Sequence, residues 1–535
     1  MCVASESAHR LANARPADGT ECRPYPAPPI SPTRLTKPTN LRARACGRHG
    51  GLLNQSPMNS SRNKLFLMMV LEIAIWGAWL PLIFGYLPSL GFSPSEPPEA
   101  LRPMFAWLPP IGPNTSPFLE WLTVIVKALF SEQGMILNAF PVAAVVGMFF
   151  SNQFADRNFA AEKFLAFSHL VGGLAILGCG FVHTFWPFFT LMLVHCLLYV
   201  PTMSITNSIA FANMKDPQKE FGIIRMGGTF GWILAAWPFI FILIDWDKVN
   251  AAHPQGIVAW FDIVLKSGLT GDALKAATKW TFVVAGIVSL ALAAFSLVLP
   301  HTPPKKKEEG AAESLAWLEA LKLLKHPFVL VLWLVTFVDS FVHNCYFNWT
   351  GSFLGAEAAK GGVGIAGNWI MPTMTIGQVA ELLTMLVLGA TLKKLGWRLT
   401  MIIGILGHAA RFLVYAYFPQ HRDLIVAVQI LHGICYAFFF ATVYIFVDEH
   451  FPKDARSSAQ GLFNVMILGI GALVANSICP RLIQETFKHG ELVDFKGLFL
   501  VPAYAAIGAA AAIALFFHPP KIGTTNRGGL AATPH

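Results

Sequence analysis

The sequence is short of charge. Of its 535 residues only 13% are Asp, Glu, Lys or Arg and only 30 are acidic, against 54% hydrophobic residues and a mean hydropathy of +0.53. Soluble proteins carry about 25% charged residues, so this deficit excludes an ordinary soluble enzyme. Paired cysteines are lacking as well. Cys2, Cys22 and Cys46 lie in a polar leader, Cys179, Cys196, Cys345, Cys435 and Cys479 lie in or beside apolar runs, and no CxxC spacing occurs. No disulfide framework, metal site or cofactor is therefore expected. HExxH, GxSxG and paired-carboxylate motifs are missing too. A membrane-embedded enzyme using His169, His195, His343 or His432, which lie in apolar runs, is accordingly a weaker reading than transport.

What is present are 43 Phe, 15 Trp and apolar runs of about 20 residues, the length that crosses a bilayer as a helix. They fall at 65–87, 135–150, 164–182, 187–211, 221–244 and 280–299. After a polar linker they resume at 327–347, 370–392, 399–418, 424–447, 457–479 and 497–517. The expectation is an all-α polytopic membrane protein with twelve transmembrane helices in two halves of six.

The net charge of +9 does not imply a nucleic-acid partner, because much of it sits in the first 57 residues and in short loops. Residues 1–57 are rich in Pro, Arg, Ser and Ala, contain no signal-peptide core and are expected to be disordered. Met58, just ahead of the first run, reads as a natural start, with an Arg-rich targeting leader as the alternative. Lys and Arg recur in the even-numbered connections: Arg157 and Lys163; Lys215 and Lys219; Lys305, Lys306, Lys307, Lys322 and Lys325; Lys393, Lys394 and Arg398; Lys453 and Arg456. The positive-inside bias places both termini and the central linker in the cytoplasm of a cell whose inner membrane holds the chain. The resulting organisation is an N-terminal half over 58–300, with external insertions at 91–134 and 245–279, a linker over 301–326, a C-terminal half over 327–520 and a tail over 521–535. An amphipathic piece near 118–130 is expected on the membrane surface.

This plan is that of the major facilitator superfamily, whose related halves enclose a midplane site. Gly389, Lys393, Lys394, Gly396 and Arg398 resemble its loop motif Gly-x-x-x-Asp-Arg-x-Gly-Arg-Arg with Lys in place of the Asp. In the first half only Asp156 and Arg157 remain of it.

A charge at mid-bilayer costs from about 2.5 to well above 10 kcal/mol, so the few polar groups inside the runs are the candidates for function. Arg225 has Thr229 and Trp232 at i+4 and i+7 on one helix face, a guanidinium, a hydroxyl and an aromatic plane suited to a flat polar ligand. A snorkelling Arg225 paired with an acid is the structural alternative. Gln378 and Glu381, at i and i+3, present an amide and a carboxylate together. A carboxylate in such a cavity is a candidate for reversible proton binding, and a structural ion pair with an Arg is its alternative. Span four carries Tyr199, Pro201, Thr202, Thr206 and Asn207, and span seven Asp339, His343, Asn344, Tyr346, Asn348 and Trp349. Span ten carries an aromatic stripe of Tyr436, Phe440 and Tyr444, a spacing that most often means packing. Glu72, ahead of Trp76, is a further proton candidate without an obvious partner.

With these residues identified, the chain resembles the nucleoside:proton symporter family of that superfamily over about 58–520, the two insertions apart. Five local patterns in order carry the resemblance: Ile75-Trp76-Gly77-Ala78-Trp79-Leu80; Tyr199-Val200-Pro201-Thr202 with Asn207 and Ile209; Ile224-Arg225-Met226-Gly227-Gly228-Thr229-Phe230-Gly231; Gln378-Val379-Ala380-Glu381; and Ala455-Arg456-Ser457-Ser458-Ala459-Gln460-Gly461. The resemblance implies a monomeric permease that imports nucleosides with protons, in which Arg225, Thr229, Trp232, Gln378 and Glu381 contact the nucleoside. Asn344 and Asn348 are looser transfers, and Tyr436 is a substrate candidate from the aromatic stripe alone. The family has an acid in span ten where this chain reads Tyr436-Ala437-Phe438-Phe439. Coupling through Glu381 alone, recruitment of Glu72 or Asp339, and facilitated diffusion without a proton all remain open, as does a sugar-like substrate.

Overall fold

Lipid offers no hydrogen bonds, so an apolar chain crossing it must pair its own backbone groups and coils into helices. The computed structural model describes residues 57–109, 112, 115–147, 159–304, 321–451 and 456–519. The leader, Asp156 and Arg157, the charged run 305–309, Lys453 and the tail lie outside the described residues. Spans one to six are Pro57–Ser89, Glu132–Val146, Ala161–Cys179, Phe185–Asn213, Pro217–Ala236 and Lys279–Ser296. Span seven is Pro327–Gly355. Spans eight and nine share the helix Gly367–Tyr417, which Gly396 breaks with φ 72° and ψ 174°, a backbone conformation that side chains disfavour. Span ten runs from Arg422 to His450, span eleven from Arg456 to Thr486, and span twelve is Phe495–Phe516. The structure thus has twelve spans in two sets of six, the major facilitator fold.

Span seven continues to Gly355, past the end expected at 347. Asn348, Thr350 and Ser352 weaken the hydropathy there, yet Trp349 and Phe353 are fully buried and hold the extra turns in the bundle. Spans ten and eleven contain π-helical turns at Tyr436–Ala441, Val465–Ile470 and Leu482–Thr486, a departure that often accompanies functional sites.

The halves meet where span one packs on seven, two on eleven and five on eight. Within the first half, spans one and five touch backbone to backbone through Gly227 and Gly231, the small-xxx-small spacing that lets membrane helices approach. A Cβ at Gly231 would strike the Val70 carbonyl, and one at Gly227 would come within 2.7 Å of the Phe66 carbonyl oxygen. Span eight lies equally close to span ten, where a Cβ on Gly433 would collide with the Glu381 amide. Both contacts set the depth at which Arg225 and Glu381 stand.

The insertions fold into short helices. Pro117–Leu129 is amphipathic with Phe118 and Trp121 exposed, and it meets span two at 72° over the Ser131 cap, whose Oγ accepts from the Gly134 amide at 3.0 Å. The second insertion ties onto span eight: the Leu269 carbonyl accepts from the Gly367 amide and the Leu265 carbonyl from Trp369 Nε1, each at 2.8 Å. Gln133 and Gln484 exchange two amide hydrogen bonds at 2.8 and 3.0 Å, and Asn138 donates to Ser477 Oγ at 2.8 Å. These contacts zip the two halves together at the end of the bundle that carries the insertions.

Because the obstacle at Gly231 is backbone, Gly231→Val is expected to cost about 1–3 kcal/mol or more. Thermal unfolding in detergent should show a midpoint lowered by about 2 °C or more, while Gly222→Ala, where an added Cβ meets nothing within 4 Å, leaves it unchanged.

Candidate functional site

Between the halves lies a cavity of about 190 Å³, room for on the order of ten waters. Both halves build its wall. Span one supplies Glu72, Trp76 and Trp79, span four Thr206 and Asn207, and span five Arg225, Thr229 and Trp232. From the second half come His343, Asn344 and Phe347 of span seven, Gln378 and Glu381 of span eight, His432, Tyr436, Phe440 and Tyr444 of span ten, and Asn476 of span eleven.

Helical spacing accounts for the grouping on spans five and eight, since residues three, four and seven apart share a face. The aromatic stripe of span ten, whose spacing most often means packing, faces the cavity along its whole length. Across from it Trp76 stacks on Phe140 at 4.6 Å and meets Trp232 edge-on at 5.3 Å, and Trp232 meets Phe347 at 6.0 Å. The cavity is therefore a slot with aromatic walls and a few polar groups, the general form of a small-molecule site.

Those polar groups are largely unspent. Buried polar atoms are normally hydrogen-bonded, yet Trp76 Nε1, Asn207 Oδ1, His343 Nδ1 and Gln378 Oε1 have no protein partner. Neither Arg225 nor Glu381 forms an ion pair or hydrogen bond with another described residue. The pairing considered as their structural alternative is not observed. A guanidinium and a carboxylate from opposite halves thus line one cavity without a hydrogen bond between them.

The remaining sequence candidates separate. Glu72 lines the cavity but is fully engaged: Oε2 lies 2.9 Å from His169 Nε2, Oε1 accepts from Thr202 Oγ1 at 2.7 Å, and the Glu72 carbonyl accepts from Tyr199 OH at 2.7 Å. Its partner stands on span three and is out of reach of any local sequence pattern. Asp339 and Asn348 do not reach the wall. Asn348 is buried behind it and donates to Asn476 Oδ1 at 3.1 Å, because its position on span seven turns it toward span eleven. Asp339 is fully buried near His408, with Nε2 3.7 Å from Oδ2.

Sequence reading passed over Arg411, although a guanidinium inside an apolar run was a visible signal. It is completely buried. Its two terminal nitrogens lie 2.9 Å from His432 Nδ1 and 3.0 Å from His408 Nδ1, and its guanidinium stacks on the Tyr346 ring at 4.2 Å. Since arginine only donates, both imidazoles accept at Nδ1 and carry their proton on Nε2. For His408 this directs the N–H toward Asp339. No group of three or more His, Cys, Asp or Glu among the described residues is arranged to hold a metal ion.

The charged groups inside the spans fall into two sets. Behind the wall, Arg411 is held by His408 and His432, and Asp339 lies on the far side of His408. The cavity itself faces one guanidinium, Arg225, and two carboxylates, Glu72 and Glu381.

Comparison with known proteins agrees with the geometry. The family model described as nucleoside H+ symporter matches residues 58–99, 106–268 and 256–522. The putative nucleoside transporter YegT of Escherichia coli is 28% identical over 435 residues, covering 81% of this chain and 86% of its own length. The nucleoside permease NupG of the same organism is 24% identical over 429 residues, covering 74% of this chain and 92% of its own. The crystal structure of the nucleoside transporter NupG shares the fold at TM-score 0.63 with 22% identity, covering 85% of this chain and 99% of that one.

Removing the hidden guanidinium should be costly. Arg411→Met leaves His408 Nδ1 and His432 Nδ1 without the donor they share and is expected to lose about 1–3 kcal/mol for each group left unsatisfied. Thermal unfolding in detergent should show the loss as a lowered midpoint.

Proposed function

The chain belongs to the nucleoside H+ symporter family, and on that premise we propose that its cavity carries a nucleoside and one proton together across the membrane by alternating access. The observation that supports this most is the unpaired Arg225 and Glu381 facing one another's half across an aromatic slot. Trp76, Trp232, Phe347 and Tyr436 offer planes on which a nucleobase stacks. Gln378 Oε1 and Asn207 Oδ1 accept from hydroxyl or amino groups, while Arg225 and Thr229 donate to oxygens. Asn344 adds a further amide on the span-seven side, and Asn348 acts by holding Asn476 in place.

Proton coupling follows from the tally. With both carboxylates ionised the cavity carries one excess negative charge, and moving that through the membrane interior is unfavourable. A proton on Glu381 cancels it and lets the loaded halves rock. The function is transport rather than catalysis. The Lys/Arg distribution supports a cytoplasmic-membrane setting with both termini on the cytoplasmic side, and enclosure of the whole site within one chain supports a monomer as the working unit.

In proteoliposomes an inward proton gradient should drive accumulation of labelled uridine, competed by nucleosides but not by free nucleobases or sugars. Uptake indifferent to the gradient and competed by sugars would refute the reading. Arg225→Ala is expected to raise KM about 10- to 100-fold through loss of a charge-assisted hydrogen bond. Glu381→Gln should abolish gradient-driven accumulation and retain counterflow.

A further inference from the structure

The family's span-ten acid is absent at Ala437, yet the cavity tally still holds two carboxylates. We propose that the Glu72–His169 pair on the first half is the second seat of the transported proton, exchanging it with Glu381 through cavity water. This rests on the proton-coupled reading above and adds the residues that carry the proton in the opposite half.

The geometry supports a proton seat more than a passive strut. Glu72 is 1% exposed and His169 1% exposed, and a 2.9 Å contact joins the carboxylate to the imidazole. His169 Nδ1 lies 3.1 Å from Ser289 Oγ on span six, and that hydroxyl in turn donates to the His169 carbonyl at 3.1 Å. With Nδ1 thus occupied by a hydroxyl able to accept, the imidazole can hold a proton on both nitrogens. A carboxylate and an imidazole in one hydrogen bond pass a proton between Oε2 and Nε2 with no other bond changed. Unlike His169, Glu72 also borders the cavity, so the pair has a wet side and a dry side.

The charged and titratable groups facing the pair are few. Span four presents Tyr199, whose hydroxyl is spent on the Glu72 carbonyl, together with Cys196 and His195, the latter stacked on Tyr199 at 5.3 Å with Nδ1 bonded to the Gly172 carbonyl. Span five presents Arg225, and span six only hydroxyls. Among the described residues lining the cavity with both carboxylates, Arg225 is the one fixed positive charge. It therefore neutralises one of them, and the proton neutralises the other. The proton enters from the medium on one side, resides on Glu381 or on the pair, and leaves to the other side, so one positive charge crosses per cycle.

This makes Glu72 and Glu381 equivalent in the tally. Removing either charge leaves a cavity already neutral without a proton. Glu72→Gln is expected to abolish gradient-driven uridine accumulation and uridine-induced proton uptake, with counterflow still measurable. Glu72→Gln/Glu381→Gln leaves Arg225 unbalanced and should lose counterflow as well. His169→Asn should displace the pH profile of uptake while leaving KM for uridine unchanged.

Unaltered accumulation in Glu72→Gln overturns the proposal. Should Glu72→Gln fail to fold, His169→Asn decides: an unchanged pH profile in a counterflow-competent protein overturns it equally. Failure of the unmodified protein to exchange uridine at all would instead reject the transport reading beneath it.

Discussion

Placing a charge in the interior of a membrane is the cost on which the structure turns. The chain keeps few charges away from its helix ends, and each has an arrangement to match. Arg411 is held behind the wall by His408 and His432 and covered by the Tyr346 ring, with Asp339 beyond His408. Arg225, Glu72 and Glu381 stand on the cavity and do not balance. An odd count of charges at a site that must move between two sides of a membrane is a reason for a proton to travel with the substrate.

The backbone serves that arrangement. Gly227 and Gly231 bring span five against span one, and Gly433 brings span ten against span eight, so that Arg225 and Glu381 sit at the same cavity from opposite halves. Hydrogen bonds between Gln133 and Gln484, and from Gly367 and Trp369 to the second insertion, join the halves at one end.

Much of this was legible in the sequence because lipid makes it so. Length and hydropathy located the twelve helices, and i, i+4 and i+7 spacing placed Arg225, Thr229 and Trp232 on one face. What was hidden depended on contacts between distant helices. His169 lies 97 residues from Glu72, and no local pattern joins them. Asp339 was read as a cavity acid because spacing along span seven does not say which neighbour the helix turns toward. The aromatic stripe of span ten was ambiguous for the same reason, since packing and stacking platforms share one spacing. The end of span seven was misplaced because polar residues buried against other helices resemble a loop in a hydropathy count.

In the proposed cycle one proton balances the cavity on each loaded passage. This is tested most directly by the reversal potential of uridine flux in proteoliposomes clamped with defined proton and uridine gradients. One charge per uridine is the predicted stoichiometry. Zero or two charges per uridine would contradict the account.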